Sequence, residues 1–235
     1  MTTQDGRRVA IVTGGASGIG RATAARLKAA GVAVAVFDRN GDPPVDVSDA
    51  AAVDAAVEGV RQRLGPVDIL VNAAGIPALA DLESPGYRDV WDVTLAVNLE
   101  GTLNTVRACL DDLLASEAGR IVNIASTEAL TAGRHGGPYT VSKHAVVGLT
   151  RSLAVDLGRR GVTANCVCPG ATLTGMTAPI PEEARAAYGR RNIPLGRYGS
   201  PEEIAYMVVA LTAPEASFVN GAIIPVDGGM TAMSR

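Results

Sequence analysis

A glycine-rich turn follows the first apolar run of the chain and leads into a stretch with helical spacing. Val9–Thr13 is short, apolar and β-branched, and residues 14–20 read Gly-Gly-Ala-Ser-Gly-Ile-Gly. Apolar residues then recur at helical spacing over residues 19–30, and Ala33–Phe37 is a second short apolar run. This order of strand, glycine turn, helix and strand is the context in which a glycine pattern predicts a dinucleotide site.

The same alternation continues along the chain. The apolar periodicity predicts helices at residues 50–64, 87–114, 139–157 and 201–211, and strands at residues 68–71, 121–125, 162–167 and 222–226. Short β-branched strands separated by helices indicate a parallel sheet that is covered on both faces. We therefore expect an α/β, doubly wound, Rossmann-like fold. The 235 residues contain no proline-, serine- or charge-rich linker, so we expect one domain over residues 1–235.

The glycine turn suits a pyrophosphate. Gly14 permits the tight turn, Gly18 lets the backbone approach the phosphates, and Gly20 allows the helix to pack closely on the strand. The N-terminus of the helix then holds the anion. The sequence therefore predicts a dinucleotide at this turn.

Asp38 ends the second predicted strand, where a carboxylate can accept hydrogen bonds from the ribose of the adenosine. Its charge would repel a 2′-phosphate, which favours NAD over NADP. Arg39 leaves the alternative open, because a guanidinium could bind that phosphate if Asp38 turned away. Ala16 counts against NADP, because the glycine turn contains no basic residue that could join Arg39 in binding the 2′-phosphate.

Tyr139 and Lys143 lie four residues apart, so a helix would place them on one face. An unperturbed tyrosine has a pKa of about 10, and a nearby cation would lower it. At about 4 Å and an effective dielectric constant near 20, one positive charge contributes roughly 4 kcal/mol, or about three pKa units. We therefore expect Lys143 to lower the pKa of Tyr139 enough for the phenol to act as a base.

Several motifs occur together with this pair. They are the turn spaced Gly-x-x-x-Gly-x-Gly, the run Asn72-Ala73-Ala74-Gly75, Asn98, Ser126, Asp46-Val47, and Pro169-Gly170 followed by Thr174. From about Arg8 to Gly229, this set resembles the classical short-chain dehydrogenase/reductase family.

The resemblance implies roles for individual residues. Tyr139 would be the catalytic acid and base, Lys143 would lower its pKa and hold the nicotinamide ribose, and Ser126 would position the substrate oxygen. Asn98 would complete the set by holding a water in a proton relay. The implied cofactor-binding residues, together with Tyr139 and Lys143, are Gly14, Ser17, Gly18, Ile19, Gly20, Asp38, Asp46, Val47, Asn72, Ala73, Gly75, Pro169, Gly170, Thr172 and Thr174.

The resemblance also implies an enzyme that transfers hydride between NAD and a small secondary alcohol or ketone. It implies a homo-oligomer, either a dimer or a tetramer, in which Trp91 lies on the helix that pairs across the interface. Two alternatives remain open: an NADPH-dependent 3-oxoacyl-type carbonyl reductase, and a protein on the same fold that senses a nucleotide without turnover. The segment 175–197, which follows the nicotinamide contact, is expected to cover the substrate.

Charge and composition exclude several other classes. A net charge of -3 with interspersed signs gives no basic stripe for nucleic acid and no patch for a membrane surface. The start of the chain is polar, and no apolar run reaches the length of a membrane span, so we expect a cytoplasmic protein. Cys166 and Cys168 should lie buried on one face of a strand, and the spacing of the cysteines and histidines predicts no metal site.

Three further residues have two interpretations each. Ser126 with His135 could suggest a serine hydrolase, but Ser126 does not lie in a Gly-x-Ser-x-Gly turn. His135 is otherwise a loop residue before the catalytic helix. Glu128, two residues after Ser126, either projects toward the substrate or is a solvated carboxylate on a loop.

Overall fold

The structure is a computed structural model, and it describes residues 7–233. Its six strands are β1 (Val9–Thr13), β2 (Ala33–Phe37), β3 (Ile69–Asn72), β4 (Arg120–Ile124), β5 (Thr163–Pro169) and β6 (Ile223–Val226). They form one parallel sheet in the order β2-β1-β3-β4-β5-β6. Every residue of β1, β3, β4 and β5 is buried, as expected for strands that are covered on both faces.

Seven α-helices connect and flank the strands. They are α1 (Gly18–Ala29), α2 (Ala50–Leu64), α3 (Tyr87–Leu95), α4 (Gly101–Ala115), α5 (Gly137–Gly158), α6 (Glu182–Asn192) and α7 (Pro201–Thr212). Helices α1 and α7 pack together on one face of the sheet, and α2, α4 and α5 cover the other. The predicted doubly wound, Rossmann-like fold is confirmed, and the predicted strands and helices differ from the observed ones by a few residues at their ends.

Two apolar cores hold the three layers together. On one side of the sheet, Val9 and Ile11 of β1 pack with the buried valines of α2 and with Leu113 of α4. On the other side, Val12 packs with Leu27 of α1 and Val208 of α7. Alternate residues of one strand thus serve opposite cores, which fixes the register of the sheet.

The predicted helix at residues 87–114 is helical throughout, but it contains a π-helical turn that the periodicity did not predict. This turn, Ala96–Glu100, joins α3 to α4 and carries Asn98. The side chain of Asn98 is engaged with another part of the chain, because its Oδ1 accepts a hydrogen bond from the backbone N–H of Ile76 at 2.9 Å. Such turns are frequent at functional sites, since the extra residue in the turn redirects the neighbouring side chains.

The start of α7 follows the prediction. The hydroxyl of Ser200 accepts a hydrogen bond from the backbone N–H of Glu203, and the Glu203 carboxylate accepts one from the backbone N–H of Ser200. This reciprocal pair is a capping box, and Pro201 occupies the first turn of the helix.

The predicted buried thiols are also confirmed, since Cys166 and Cys168 lie on β5 with no exposed surface and form no disulfide. Among residues 7–233, no helix is both long and apolar enough to cross a bilayer.

Candidate active site

A cavity of about 410 Å³ lies at the carboxyl ends of the strands. It extends from Asp38, at the end of β2, past the glycine turn after β1, to Ser126, Tyr139 and Lys143. The order of the strands reverses beside β1, so the crevice lies where a doubly wound sheet opens to ligands.

The glycine turn has the shape that a dinucleotide requires. Gly14 and Gly18 have φ values of +64° and +49°, which side chains rarely adopt. A Cβ at Gly20 would lie 2.3 Å from the Gly14 carbonyl oxygen, so only glycine lets α1 start this close to the turn. The backbone is thereby left open toward the cavity, and the residues present fit a pyrophosphate at the N-terminus of α1.

Asp38 lies at the end of the cavity that is formed by β2, and backbone N–H groups fix its carboxylate. Its Oδ2 accepts a hydrogen bond from the N–H of Ala16 at 3.0 Å, and its Oδ1 accepts one from the N–H of Asn40 at 2.9 Å. Arg39 lines the same end. A carboxylate held in this way suits ribose hydroxyls, because it has acceptor capacity left on both oxygens.

Asp46 and Val47 line the cavity close to this end. One carboxylate oxygen of Asp46 accepts hydrogen bonds from the hydroxyl and the N–H of Ser48, and these bonds lower the pKa of Asp46. The neighbouring Val47 is buried.

Ser126 and Tyr139 lie together at the opposite end of the cavity. Ser126 is two residues after the end of β4 and caps a 3₁₀ turn, Thr127–Ala129, in which its Oγ accepts the N–H of Glu128 at 3.1 Å. Tyr139 lies in the first turn of α5, and the Ser126 side chain acts to lower its pKa. Both residues line the cavity, so the structure brings together two hydroxyls that come from separate elements.

Lys143 lies one helical turn after Tyr139, on the same face of α5. Only 5% of its surface is exposed, and its Nζ donates a hydrogen bond to the Ile124 carbonyl at 3.0 Å. Burial lowers the pKa of Lys143 to about 8, while Cys166 and Cys168 act in the opposite direction.

The expected effect of Lys143 on the phenol is not seen in this structure. Burial raises the pKa of Tyr139, the neighbouring Ser126 side chain lowers it, and the charge of Glu128 raises it. The ammonium lies 5.7 Å from the centre of the Tyr139 ring and donates to a backbone carbonyl, so desolvation of the phenol is the largest effect.

Asn98 is placed beside these groups but does not line the cavity. Its Nδ2 donates hydrogen bonds to the Ile76 carbonyl at 3.2 Å and to the Ser142 hydroxyl at 3.0 Å. Ser142 in turn donates to the Tyr139 carbonyl at 2.7 Å. The amide of Asn98 therefore connects the loop after β3 with the helix that carries Tyr139.

Asn72 also lies outside the cavity. It is buried, its Nδ2 donates to Asn123 at 2.9 Å, and its Oδ1 accepts the Thr105 hydroxyl at 2.6 Å. Asn72 therefore ties β3 to β4 and α4, because its side chain points to the α4 face of the sheet. We expected it to line the cofactor cleft, and the structure differs on this point.

The remaining predicted cofactor residues line the cavity, and their contact with a bound cofactor stays a prediction. They are Gly14, Ser17, Gly18, Ile19, Gly20, Asp38, Asp46, Val47, Ala73, Gly75, Tyr139, Lys143, Pro169, Gly170, Thr172 and Thr174. The sequence interpretation missed apolar residues at the reactive end, chiefly Ile76, Pro77 and Ala125. Ala125 is the last residue of a predicted strand, and Ile76 and Pro77 directly follow the run Asn72-Ala73-Ala74-Gly75, which were signals that could have identified them.

Met176 also lines the cavity and lies at the start of the segment 175–197, which we expected to cover the substrate. His135 is exposed on the loop before α5, and its backbone carbonyl accepts the N–H of Ala80 at 2.9 Å. Within the part of the chain that the structure describes, no three histidine, cysteine or acidic residues are grouped to hold a metal ion.

Comparisons with known proteins give consistent results. The family model described as enoyl-(acyl carrier protein) reductase matches residues 14–231. The chain is 38% identical to D-threitol dehydrogenase of Mycolicibacterium smegmatis, over 95% of this chain and 93% of the relative. It is 36% identical to a 3-oxoacyl-(acyl-carrier-protein) reductase of Thermotoga maritima, over 95% of this chain and 97% of the relative.

Among solved structures, the fold matches a gluconate 5-dehydrogenase from Burkholderia cenocepacia in complex with NADP and tartrate. The TM-score is 0.90 at 32% identity, and the match covers 97% of this chain and 96% of the other.

Proposed function

The chain belongs to the short-chain dehydrogenase/reductase family of oxidoreductases, which use nicotinamide cofactors, and from this premise we propose that it is an NAD-dependent dehydrogenase of small secondary alcohols. The reverse reaction is the reduction of the corresponding ketones. Tyr139 acts as the acid and base.

The placement of the Ser126 and Tyr139 side chains together on the wall of the cavity, next to Lys143, carries this proposal. A nucleotide-binding protein without turnover has no use for two hydroxyls that converge in this way next to a buried ammonium. The pair lies at the opposite end of the cavity from Asp38. A dinucleotide bound with its adenosine at Asp38 therefore has its nicotinamide beside the two hydroxyls.

In alcohol oxidation, the phenolate of Tyr139 takes the proton of the substrate hydroxyl. Ser126 donates a hydrogen bond to the substrate oxygen as it becomes a carbonyl. A nicotinamide held by the residues that line the cavity would supply the hydride acceptor for alcohol oxidation and the hydride donor for ketone reduction. In ketone reduction, the neutral Tyr139 donates its proton to the substrate oxygen.

The role of Lys143 follows from its burial. A positive charge beside a phenol favours the phenolate, but in this structure Lys143 donates to the Ile124 carbonyl and desolvation is the largest effect on the pKa of Tyr139. With a pKa of about 8, Lys143 exchanges protons readily close to neutral pH. It thus suits a path that returns the proton of Tyr139 to solvent, and it is the residue that would hold the nicotinamide ribose.

Asp38 supports NAD as the cofactor. Its carboxylate is fixed by two backbone N–H groups at the adenosine end, and a 2′-phosphate placed there would meet a negative charge. The likeness to a structure in complex with NADP favours the opposite choice. We give Asp38 more weight, because it is a charge of this chain at the position where the two cofactors differ.

A second candidate function is that of an NADPH-dependent 3-oxoacyl-type reductase. The identity to the Thermotoga maritima reductase favours it. Arg39, which lines the adenosine end beside Asp38, offers one positive charge for the phosphate of NADP. The two candidates are distinguished by comparing kcat/KM for NAD and for NADP in the wild-type protein.

We also propose a homo-oligomer, a dimer or a tetramer, as the family resemblance implies. Trp91 is half-buried and stacks at a tilt on Tyr87, with ring centres 6.3 Å apart. Sedimentation velocity measures the state directly, and a monomer at micromolar concentration would contradict this part of the proposal.

The experiment that tests the proposed function is the substitution Tyr139→Phe. Wild-type protein is screened with secondary alcohols, cyclic diols, sugars and ketones while the absorbance of reduced nicotinamide is followed. On the best substrate, we expect Tyr139→Phe to lower kcat by about 10³-fold or more, because the acid and base is lost. NAD affinity should stay within about threefold, because the ring remains in place. Substantial residual turnover would count against Tyr139 as the base.

A further inference from the structure

Glu128 connects three parts of the chain around the two reactive hydroxyls. It is the middle residue of the 3₁₀ turn that Ser126 caps. Its Oε2 accepts a hydrogen bond from the backbone N–H of Gly133 at 2.8 Å and one from the hydroxyl of Thr140 at 2.5 Å. One carboxylate oxygen thus joins the turn after β4, the loop that follows it, and the first turn of α5.

The loop is shaped to fit this carboxylate. A Cβ at Gly133 would lie 2.3 Å from the Oε1 of Glu128. At Gly136, a Cβ would lie 3.2 Å from the Thr140 hydroxyl and 3.6 Å from the Oε2 of Glu128. The loop therefore approaches the Glu128 carboxylate closely at Gly133 and Gly136, where no side chain is present. Such close contact distinguishes Glu128 from a carboxylate that is only solvated.

The same residue is linked to both reactive hydroxyls. The backbone N–H of Glu128 donates to the Ser126 Oγ at 3.1 Å, and its side chain accepts from Thr140, the neighbour of Tyr139. We propose that Glu128 is a positioning residue. It fixes the Ser126 hydroxyl relative to the Tyr139 phenol, because it connects the 3₁₀ turn that Ser126 caps to α5, which carries Tyr139. This inference rests on the proposed function, because it assumes that the Ser126 and Tyr139 hydroxyls act together on the substrate oxygen.

A carboxylate suits this position better than a neutral acceptor. It only accepts hydrogen bonds, and bonds to a charged oxygen are stronger than bonds between neutral groups. Glutamine at this position would keep the shape and one acceptor oxygen but lose the charge. Alanine would remove both the charge and the connection.

The charge has a second effect, because it acts on the phenol. Burial is the largest cause of the raised pKa of Tyr139, and the negative charge of Glu128 adds to it. The other titratable groups that face this site from the packed elements are Lys143 and His144 on α5, Cys166 and Cys168 on β5, Asp227 after β6, and Tyr87 on α3.

The test compares four variants on the best substrate of the wild-type protein. We expect Glu128→Ala and Thr140→Val to lower kcat by about tenfold or more. The dissociation constant of NAD should not change, because neither residue lines the cavity. Glu128→Gln should lose less activity, because it keeps an acceptor. Thr131→Val is the matched control: Thr131 lies on the same loop and donates to the Thr127 carbonyl, so its loss leaves the contacts of Glu128 intact.

The inference is overturned if kcat in both Glu128→Ala and Thr140→Val stays within about twofold of the wild-type value. A lower midpoint of thermal unfolding with an unchanged kcat at lower temperature would show that the contacts only stabilise the loop, and this also overturns it. Glu128→Asp provides a rescue measurement. It keeps the charge on a shorter side chain, so a kcat that stays low while its pH dependence matches that of the wild type supports positioning.

A measurement without substrate separates this inference from the proposed function. Tyrosinate absorbance is titrated in the wild type and in Glu128→Gln, each against the same protein carrying Tyr139→Phe, so that the difference reports Tyr139 alone. We expect a lower pKa of Tyr139 in Glu128→Gln, because a negative charge beside the phenol is lost. If no alcohol is turned over, the proposed function fails while this titration still reports the coupling. An unchanged pKa in Glu128→Gln and in Glu128→Ala overturns the inference.

Discussion

Asn98 and Lys143 meet at Gly75, where a Cβ would lie 3.3 Å from the Oδ1 of the amide and 3.3 Å from the Nζ of the lysine. The π-helical turn and α5 therefore approach the loop after β3 from two sides. Lys143 is enclosed by this arrangement, and the enclosure is the reason that its charged form is disfavoured.

The burial of Lys143 should make the stability of the protein depend on pH. The pKa of Lys143 is lowered from its ordinary value of 10.5 to about 8, so between these values the unfolded chain binds more protons than the folded one. Lys143 should therefore make the free energy of unfolding rise with pH, by about 1.4 kcal/mol per pH unit above about pH 8. The raised pKa values of Cys109 and Cys166 act in the opposite direction above their ordinary value of 9.0, and that of Tyr139 does so above 10.0, so we expect the net rise between about pH 8 and pH 9.

Urea unfolding at several pH values measures this dependence. Lys143→Met removes the titrating group and should abolish the rise between about pH 8 and pH 9. A Lys143→Met protein whose stability still rises as steeply as that of the wild type would contradict the assignment.

Asp38 should determine which cofactor is used. We expect the wild type to prefer NAD, and Asp38→Ser to raise kcat/KM for NADP by about tenfold or more, because the repulsion of a 2′-phosphate is removed. Arg39→Ala is the control at the same end of the cavity and should leave kcat/KM for NAD within about threefold of the wild-type value. A wild-type preference for NADP would show that the Asp38 carboxylate does not exclude the 2′-phosphate.

Gly20 should tolerate no side chain. In Gly20→Ala the new Cβ would lie 2.3 Å from a backbone oxygen, so the turn must shift. We expect a loss of stability of about 2 kcal/mol or more and weaker NAD binding. Gly59→Ala is the matched control within α2, where a Cβ meets nothing within 4 Å. It should stabilise the helix by about 0.5–1 kcal/mol and leave NAD binding unchanged. Thermal unfolding and fluorescence titration with NAD measure both quantities, and equal effects of the two substitutions would refute the argument.

Arg120 should contribute to stability through its hydrogen bonds. It is 3% exposed at the start of β4, and its guanidinium donates to the carbonyls of Gly119, Ala213 and Pro214. We expect Arg120→Met to cost about 2–4 kcal/mol, because carbonyls after the end of α7 lose their donors.

Arg88 serves as the control for this substitution. Its side chain is 79% exposed and pairs with Asp92 at 2.9 Å on the surface of α3. Arg88→Met should change the free energy of unfolding by less than about 0.5 kcal/mol. Chemical denaturation of both variants measures the difference, and a similar cost for both would contradict the distinction between buried and surface arginines.

The fold was predictable because its signals are local. Val9–Thr13 is apolar up to its last residue and Ala33–Phe37 is apolar throughout, and the glycine turn between them needs no distant contact to be recognised. The spacing of Tyr139 and Lys143 likewise fixes their common face once α5 is assigned. Even the capping box of Ser200 and Glu203 is contained within four consecutive positions.

The site was predictable only in part, because several of its features arise from contacts between distant segments. The π-helical turn at Asn98 accompanies hydrogen bonds to Ile76 and Ser142, which lie on other elements. Asn72 points to α4 because of the register of β3 in the sheet. Glu128 was interpreted as facing either substrate or solvent, and instead it holds a loop against α5.

The sequence by itself determined the order of strands and helices, the glycine turn, and the residue types that can exchange a proton or hold a nucleotide. Periodicity and residue chemistry are properties of neighbouring residues, so they can be read along the chain. Only the tertiary structure decided which hydroxyls meet, how deeply Lys143 is buried, and in which direction the pKa of Tyr139 moves. Desolvation and charge depend on every segment that packs around a group, and this surrounding exists only in the folded chain.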